Sequence, residues 1–157
     1  MHTLNHTLEK SLLEADGRYL SAQELSLVER YAQSYTVRLQ TYQQLRDHSE
    51  KFIVSALRKL GQTYPDLLQQ HGARCKYDMT EVLRYVALSI LRDDEVFFKE
   101  QMLSWLDTIL LAHKRTDHCL TAYRSLEEAI ATTLSADALA MTRPYFDLIT
   151  QSLQSHA

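Results

Sequence analysis

A chain of 157 residues, 45% of them apolar and 24% charged, is long enough for one domain with a sizeable core and has a globular rather than a disordered make-up. Its formal net charge of -3, with both signs interspersed, lacks the basic excess that nucleic-acid binding needs. No apolar run approaches the roughly 20 residues that cross a bilayer, and the N-terminal stretch lacks the basic start and apolar block of a secretory signal, so the cytoplasm is the expected compartment.

Three glycines and two prolines argue against a strand-and-turn architecture. Punctuation is confined to Gly17, Gly61 with Pro65, Gly72, the Asp93-Asp94 pair and Pro144. Between these marks apolar residues recur at three and four, the period of an amphipathic helix. The spacing predicts a short helix from about Leu4 to Glu14, striped with Leu4, Leu8 and Leu12. Ser21 and Glu24 form a capping box that opens a long helix to about Arg46, carrying Leu25, Val28, Tyr31, Tyr35, Leu39 and Tyr42. His48-Ser49 reads as a break. Phe52, Ile53, Ala56, Leu57 and Leu60 mark the next helix, stopped by Gly61.

After a loop around Pro65 and Gly72, a helix from about Tyr77 to Leu91 is expected to bury Val82, Val86, Leu88 and Ile90. Further helices are expected at 95–113, 117–134 and 137–154, with Pro144 either kinking the last or marking a later start. No repeat, linker or low-complexity tract interrupts the chain. Seven or so helices in one domain over residues 1–157 suit an all-α, globin-like arrangement better than a four-helix bundle.

The two cysteines, Cys75 and Cys119, are too few for a disulfide scaffold and lack the CxxC spacing of a zinc site. No Ser-His-Asp triad, phosphate-cradling glycine loop or paired-carboxylate motif stands out, so nothing argues for an enzyme. Trp105, Phe97, Phe98, Tyr85 and Met102 could line an aromatic pocket or simply fill the core. His113 and His118, five apart, are poorly spaced for a shared ligand pair on one helix face.

Several strings, in order, resemble the phycobiliprotein branch of the globins. Gly17-Arg18-Tyr19-Leu20-Ser21, with Glu24-Leu25 after it, is similar to the start of that family's second helical segment, and the register holds to Tyr64-Pro65-Asp66. Cys75-x-x-Asp78, then Leu83-Arg84, resembles the bilin-attachment helix. Ala131-Thr132-Thr133-Leu134 and Pro144-Tyr145-Phe146-Asp147-Leu148-Ile149 resemble the last helix. The resemblance spans nearly the whole chain, including an N-terminal helical extension, residues 1–20, that haem globins lack. Three departures stand out: a shorter segment between the Pro-Asp pair and the cysteine, Tyr77 where the family has arginine, and Glu81-Val82 where it has two tyrosines. They fit the phycobiliprotein-like globins associated with bilin biosynthesis better than antenna subunits.

The resemblance implies a protein that holds a linear tetrapyrrole of the phycocyanobilin type as pigment carrier, photosynthetic accessory or bilin-metabolism protein. It implies Cys75 as the thiol that attacks the pigment's side chain. A cysteine at a helix start, flanked by Arg74 and Lys76, would have a lowered pKa. Asp78, on the same helical face, is the implied acceptor for pyrrole N–H groups. Arg74 and Arg84 are candidate propionate clamps. Tyr77 could bond a propionate or stack on a ring, and His118 could donate to a bilin carbonyl. Expected partners are the pigment, bilin-biosynthesis enzymes or a lyase, and a second copy of the chain docked through the N-terminal helices, whose leucine stripe a short hairpin cannot bury. Two alternatives remain open: a haem-binding sensor globin using His113 or His118, and a ligand-free scaffold acting through protein contacts.

Overall fold

The computed structural model describes residues 5–113 and 116–156, the side chains of residues 110–113 excepted. Leu4, where the first helix was expected to start, lies outside the described residues. Helix α1 covers His6–Glu14, with Asn5 as N-cap accepting from the Leu8 amide. Gly17, at a φ of 77°, turns the chain back in the left-handed region that glycine enters without strain. The expected capping box then opens α2: Ser21 Oγ accepts from the Glu24 amide at 3.3 Å, and Glu24 accepts from the Ser21 amide at 2.7 Å. Arg18 grips both Glu24 oxygens at 2.9 and 2.8 Å. The Arg18 guanidinium first, and the Ser21 amide and hydroxyl after it, hold the Glu24 carboxyl down to about 2.

The expected break at His48-Ser49 does not occur. Helix α2 runs unbroken over Ala22–Thr63, 42 residues, and Gly61 lies inside it. Tertiary packing overrides the local signal: Thr41, Leu45, Phe52, Ile53, Ala56 and Leu60 lie buried along one stripe on both sides of the polar pair. His48 itself packs edge-on against Phe52, centroids 6.0 Å apart. Gly61 is not a cap but a point of close approach to the next helix.

The expected loop around Pro65 and Gly72 is also helix, and α3 spans Pro65–Arg92 instead of starting near Tyr77. Pro65 stands in the first turn, where its fixed φ suits a helix and its missing N–H is not needed. The helix stops at Asp93, in the left-handed conformation at φ 53°, and Asp94 caps the next helix by accepting from the Phe97 amide at 2.9 Å.

The expected helix over 95–113 is three consecutive pieces: α4 (Glu95–Phe98), a π-helical stretch (Lys99–Leu103) and α5 (Ser104–His113). Helix α6 (Thr116–Ala131) and helix α7 (Ala136–Ser155) complete the chain, and Pro144 is accommodated within α7 rather than starting it. No strand occurs among the described residues, and no described helix is long and apolar enough to cross a membrane.

Helices α3 and α6 make the most extensive contacts with α2. Phe52, Phe98, Phe146, Leu126 and Ile130 are among the largest fully buried side chains of the core. Phe98 meets Tyr145 edge-on at 5.1 Å between centroids, and the Tyr145 hydroxyl donates to the Ser89 carbonyl at 3.1 Å. Of the sequence's aromatic candidates, Phe98 and Met102 belong to this core, while Tyr85 stacks with Phe97 at 5.9 Å. The N-terminal hairpin docks where α3 ends: Asn5 donates to the Asp93 carbonyl at 2.6 Å, and the His6 amide donates to Asp94 Oδ2 at 3.1 Å.

Candidate functional site

Helices α3 and α6 line a cleft of about 170 Å³, floored by Leu60 of α2 and walled by Trp105, Leu106 and Ile109 of α5. From α3 come Leu67, His71, Arg74, Cys75, Asp78 and Met79, a spacing of three and four that puts them on one face. From α6 come His118, Cys119, Ala122 and Tyr123. The lining is mostly apolar, so its few polar atoms decide what it can hold.

Arg74 Nε donates to Asp78 Oδ2 at 3.1 Å, one turn along α3. The same nitrogen lies 2.9 Å from Asp78 Oδ1 without hydrogen-bonding alignment, and that buried oxygen has no hydrogen-bond partner. An unsatisfied buried oxygen costs about 1–3 kcal/mol unless something supplies a donor. His118 presents a second such atom. Its Nδ1 is buried without a partner, while its ring lies tilted against Tyr64 with centroids 4.4 Å apart. Tyr123 is only 4% exposed. Burial pushes its phenol pKa well above the ordinary value, and Cys119, Asp78 and Cys75 push the same way, so the hydroxyl stays protonated.

A family model described as phycobilisome protein matches residues 11–153. The chain belongs to the phycobilisome protein family. It is 28% identical to the allophycocyanin alpha-B chain of Cyanidium caldarium, over 93% of this chain and 97% of that one. It is 30% identical to allophycocyanin subunit alpha 1 of a Nostoc species and 29% identical to the allophycocyanin alpha chain of Cyanophora paradoxa, each over 92% of this chain and 97% of the relative. The all-α, globin-like fold expected from the resemblance is the fold of this phycobiliprotein. Phycobiliproteins carry pigment rather than catalyse reactions, and the haem alternative gains no support from these relatives.

Within this phycobiliprotein, Arg74, Cys75, Asp78 and His118 converge on the cleft, whereas Tyr77 and Arg84 do not line it. Tyr77 is exposed, with the Arg74 guanidinium 5.8 Å from its ring centroid. Arg84 pairs with Glu81 at 2.5 Å and lies over the Tyr85 ring. The side chain of His113 lies outside the described residues. Among the described residues no group of three or more His, Cys, Asp or Glu is placed to hold a metal ion.

Cys75 does not have the helix-start activation expected of it. Because α3 begins at Pro65, Cys75 sits about three turns inside it, and the N-terminal field fades within the first turn. Its cationic neighbours are engaged as well, Arg74 with Asp78 and Lys76 with Glu50 at 2.7 Å. Tyr123 escaped the sequence reading because Ala122, Tyr123, Leu126, Ala129 and Ile130 look like one core stripe of α6. The four-residue step from Cys119 was the available signal, and it gains meaning only once α3 is packed opposite.

Proposed function

We propose that this phycobiliprotein binds a phycocyanobilin-type linear tetrapyrrole in the cleft between α3 and α6 and serves as a light-absorbing pigment carrier. The carrying observation is the buried Asp78 Oδ1, within ion-pair distance of Arg74 but without a hydrogen-bond partner, in a mostly apolar slot beside Cys75. A bilin fits that arrangement because its flat, apolar ring system carries inner N–H donors that need an acceptor once water is excluded. Asp78 accepts from those donors, a charge-assisted contact stronger than a neutral one. Arg74, whose side chain is largely exposed, offers a guanidinium to a propionate, with Tyr77 beside it. The bound pigment supplies visible absorption.

Cys75 is the thiol for covalent attachment. Its sulfur bonds to a carbon of the pigment's ethylidene group, the thiol proton passes to the adjacent carbon, and no oxidant is consumed. With no helix-start activation, this step calls for an attachment lyase as partner. Leu12, Leu13, Tyr19 and Leu25 leave a hydrophobic surface on the N-terminal hairpin, which suits a contact with a second copy of the chain.

The test is co-expression with a haem oxygenase and a bilin reductase, with and without a lyase, alongside Cys75→Ala. Absorption reads pigment uptake, and zinc-enhanced fluorescence on a denaturing gel reads the covalent bond. A coloured protein whose fluorescent band needs Cys75 supports the full reading; colour without the band limits it to a non-covalent carrier. A colourless protein under all these conditions overturns it.

A further inference from the structure

The wall facing Asp78 is the less obvious half of the cleft. The Asp78 carboxylate is an acceptor, and acceptors select N–H groups. A linear tetrapyrrole also carries a carbonyl on each terminal ring, which needs a donor. On α3, Arg74 lines the cleft as a strong donor near Asp78, but its Nε is already given to Asp78 Oδ2. On α6, Tyr123 lines the same cleft and is 4% exposed, and burial first, with Cys119, Asp78 and Cys75 after it, pushes its phenol pKa well up.

We infer that Tyr123 is the hydrogen-bond donor to a terminal-ring carbonyl of the bound bilin, set across the cleft from Asp78, and that it thereby tunes the pigment's colour. The inference rests on the bilin reading above. A phenol suits this task for two reasons. Its ring joins Ala122 and Trp105 in the cleft lining, and a phenol carries one hydroxyl donor. Burial keeps the phenol protonated, so its hydroxyl remains a potential donor at physiological pH. With the acceptor on α3 and the donor on α6, the cleft reads both an N–H and a carbonyl. A flat apolar molecule that offers only one of them leaves a buried polar atom unmatched. Selectivity for a lactam-ended tetrapyrrole over a porphyrin, which has no ring carbonyl, comes from that pairing.

The experiment uses the full chain assembled with phycocyanobilin and compares it with Tyr123→Phe, which removes one oxygen and keeps the ring. Resonance Raman spectroscopy reads the pigment's carbonyl stretch, absorption reads its band position, and titration of the free pigment reads affinity. The expected result is a higher carbonyl frequency, a displaced absorption maximum and an affinity lower by about three- to tenfold in Tyr123→Phe. Tyr145→Phe is the control. It removes another buried hydroxyl, bonded to Ser89 outside the cleft, and is expected to leave both bands in place. Tyr123→Phe spectra identical to wild type overturn the inference while leaving bilin binding intact. Equal band shifts in both variants also overturn it, because the effect would then be general loosening. A colourless wild type overturns the bilin reading itself, and this inference with it.

Discussion

Leu68 of α3 lies directly over Gly61 of α2, so close that a Cβ at position 61 would stand 2.6 Å from Leu68 Cδ2. Two long helices meet at that point, and the glycine is what lets them. Because the obstructing atom is the end of a flexible side chain, Gly61→Ala is expected to stay within about 1 kcal/mol of wild type, the gain in helix propensity offsetting a shifted Leu68 rotamer. Gly61→Val has more to displace and should cost about 1–3 kcal/mol. Adding Leu68→Ala to the valine variant should recover part of that loss, and urea denaturation of the four proteins in a double-mutant cycle checks it.

Removing the charge of Asp78 should separate pigment binding from folding. Asp78→Asn breaks a salt bridge whose arginine is largely exposed, a contact worth about 0–1 kcal/mol. Loss of a charge-assisted bond to pyrrole N–H groups should instead weaken pigment binding by roughly 10- to 100-fold. Unfolding midpoints and pigment titrations on the same samples test this. Equal pigment affinity in wild type and variant would remove Asp78 from the site.

Tyr145→Phe should lower stability by about 0.5–1.5 kcal/mol, because the Ser89 carbonyl loses its side-chain donor but keeps the Asp94 amide at 3.1 Å. For a domain of this size that is a drop in melting temperature of about 1–6 °C. Calorimetry reads it, and the pigment spectrum should not change.

The capping box makes stability depend on acid. The Glu24 carboxyl is held down to about 2, chiefly by Arg18. A carboxylate with a depressed folded-state pKa stabilises fully above its unfolded value, about 4, and loses that contribution as the pH falls toward about 2. Glu24→Gln should therefore be less stable than wild type at about pH 7, with the gap closing as the solution is acidified through that window. Denaturant midpoints at neutral pH, within the window and at its acid end give the comparison, and a gap independent of pH would rule out the charge.

Leu13, at 70% exposure, and Tyr19, at 98%, should report on self-association. Leu13→Glu with Tyr19→Ser is expected to move the chain from dimer to monomer in sedimentation equilibrium, with no loss of helix by circular dichroism. A wild type that is monomeric at high concentration would discard the hairpin contact.

Helix periodicity revealed most of the elements, because the stripes of Phe52 to Leu60 and Val82 to Ile90 are long and regular. Interruptions were harder to read. His48-Ser49, Gly61 and Gly72 look like local punctuation, yet each lies in a helix held by packing along its buried face. That misreading carried into the site, since placing the start of α3 near Tyr77 gave Cys75 a helix terminus it does not have. Cys75 and Asp78 were legible through their spacing and the resemblance of their surroundings. Tyr123 was not, because a residue's facing partner on another helix leaves no mark in its own neighbourhood.

The uninterrupted α2 has one more consequence. At about 1.5 Å per residue its 42 residues make a rod roughly 63 Å long. Its first turns carry the exposed Leu25 beside the hairpin, and Leu60 near its far end forms the cleft floor. A single element thus acts as a ruler. In the pair of copies proposed above, joined through their hairpins, the length of this one stiff helix would help to set how far apart the two clefts stand.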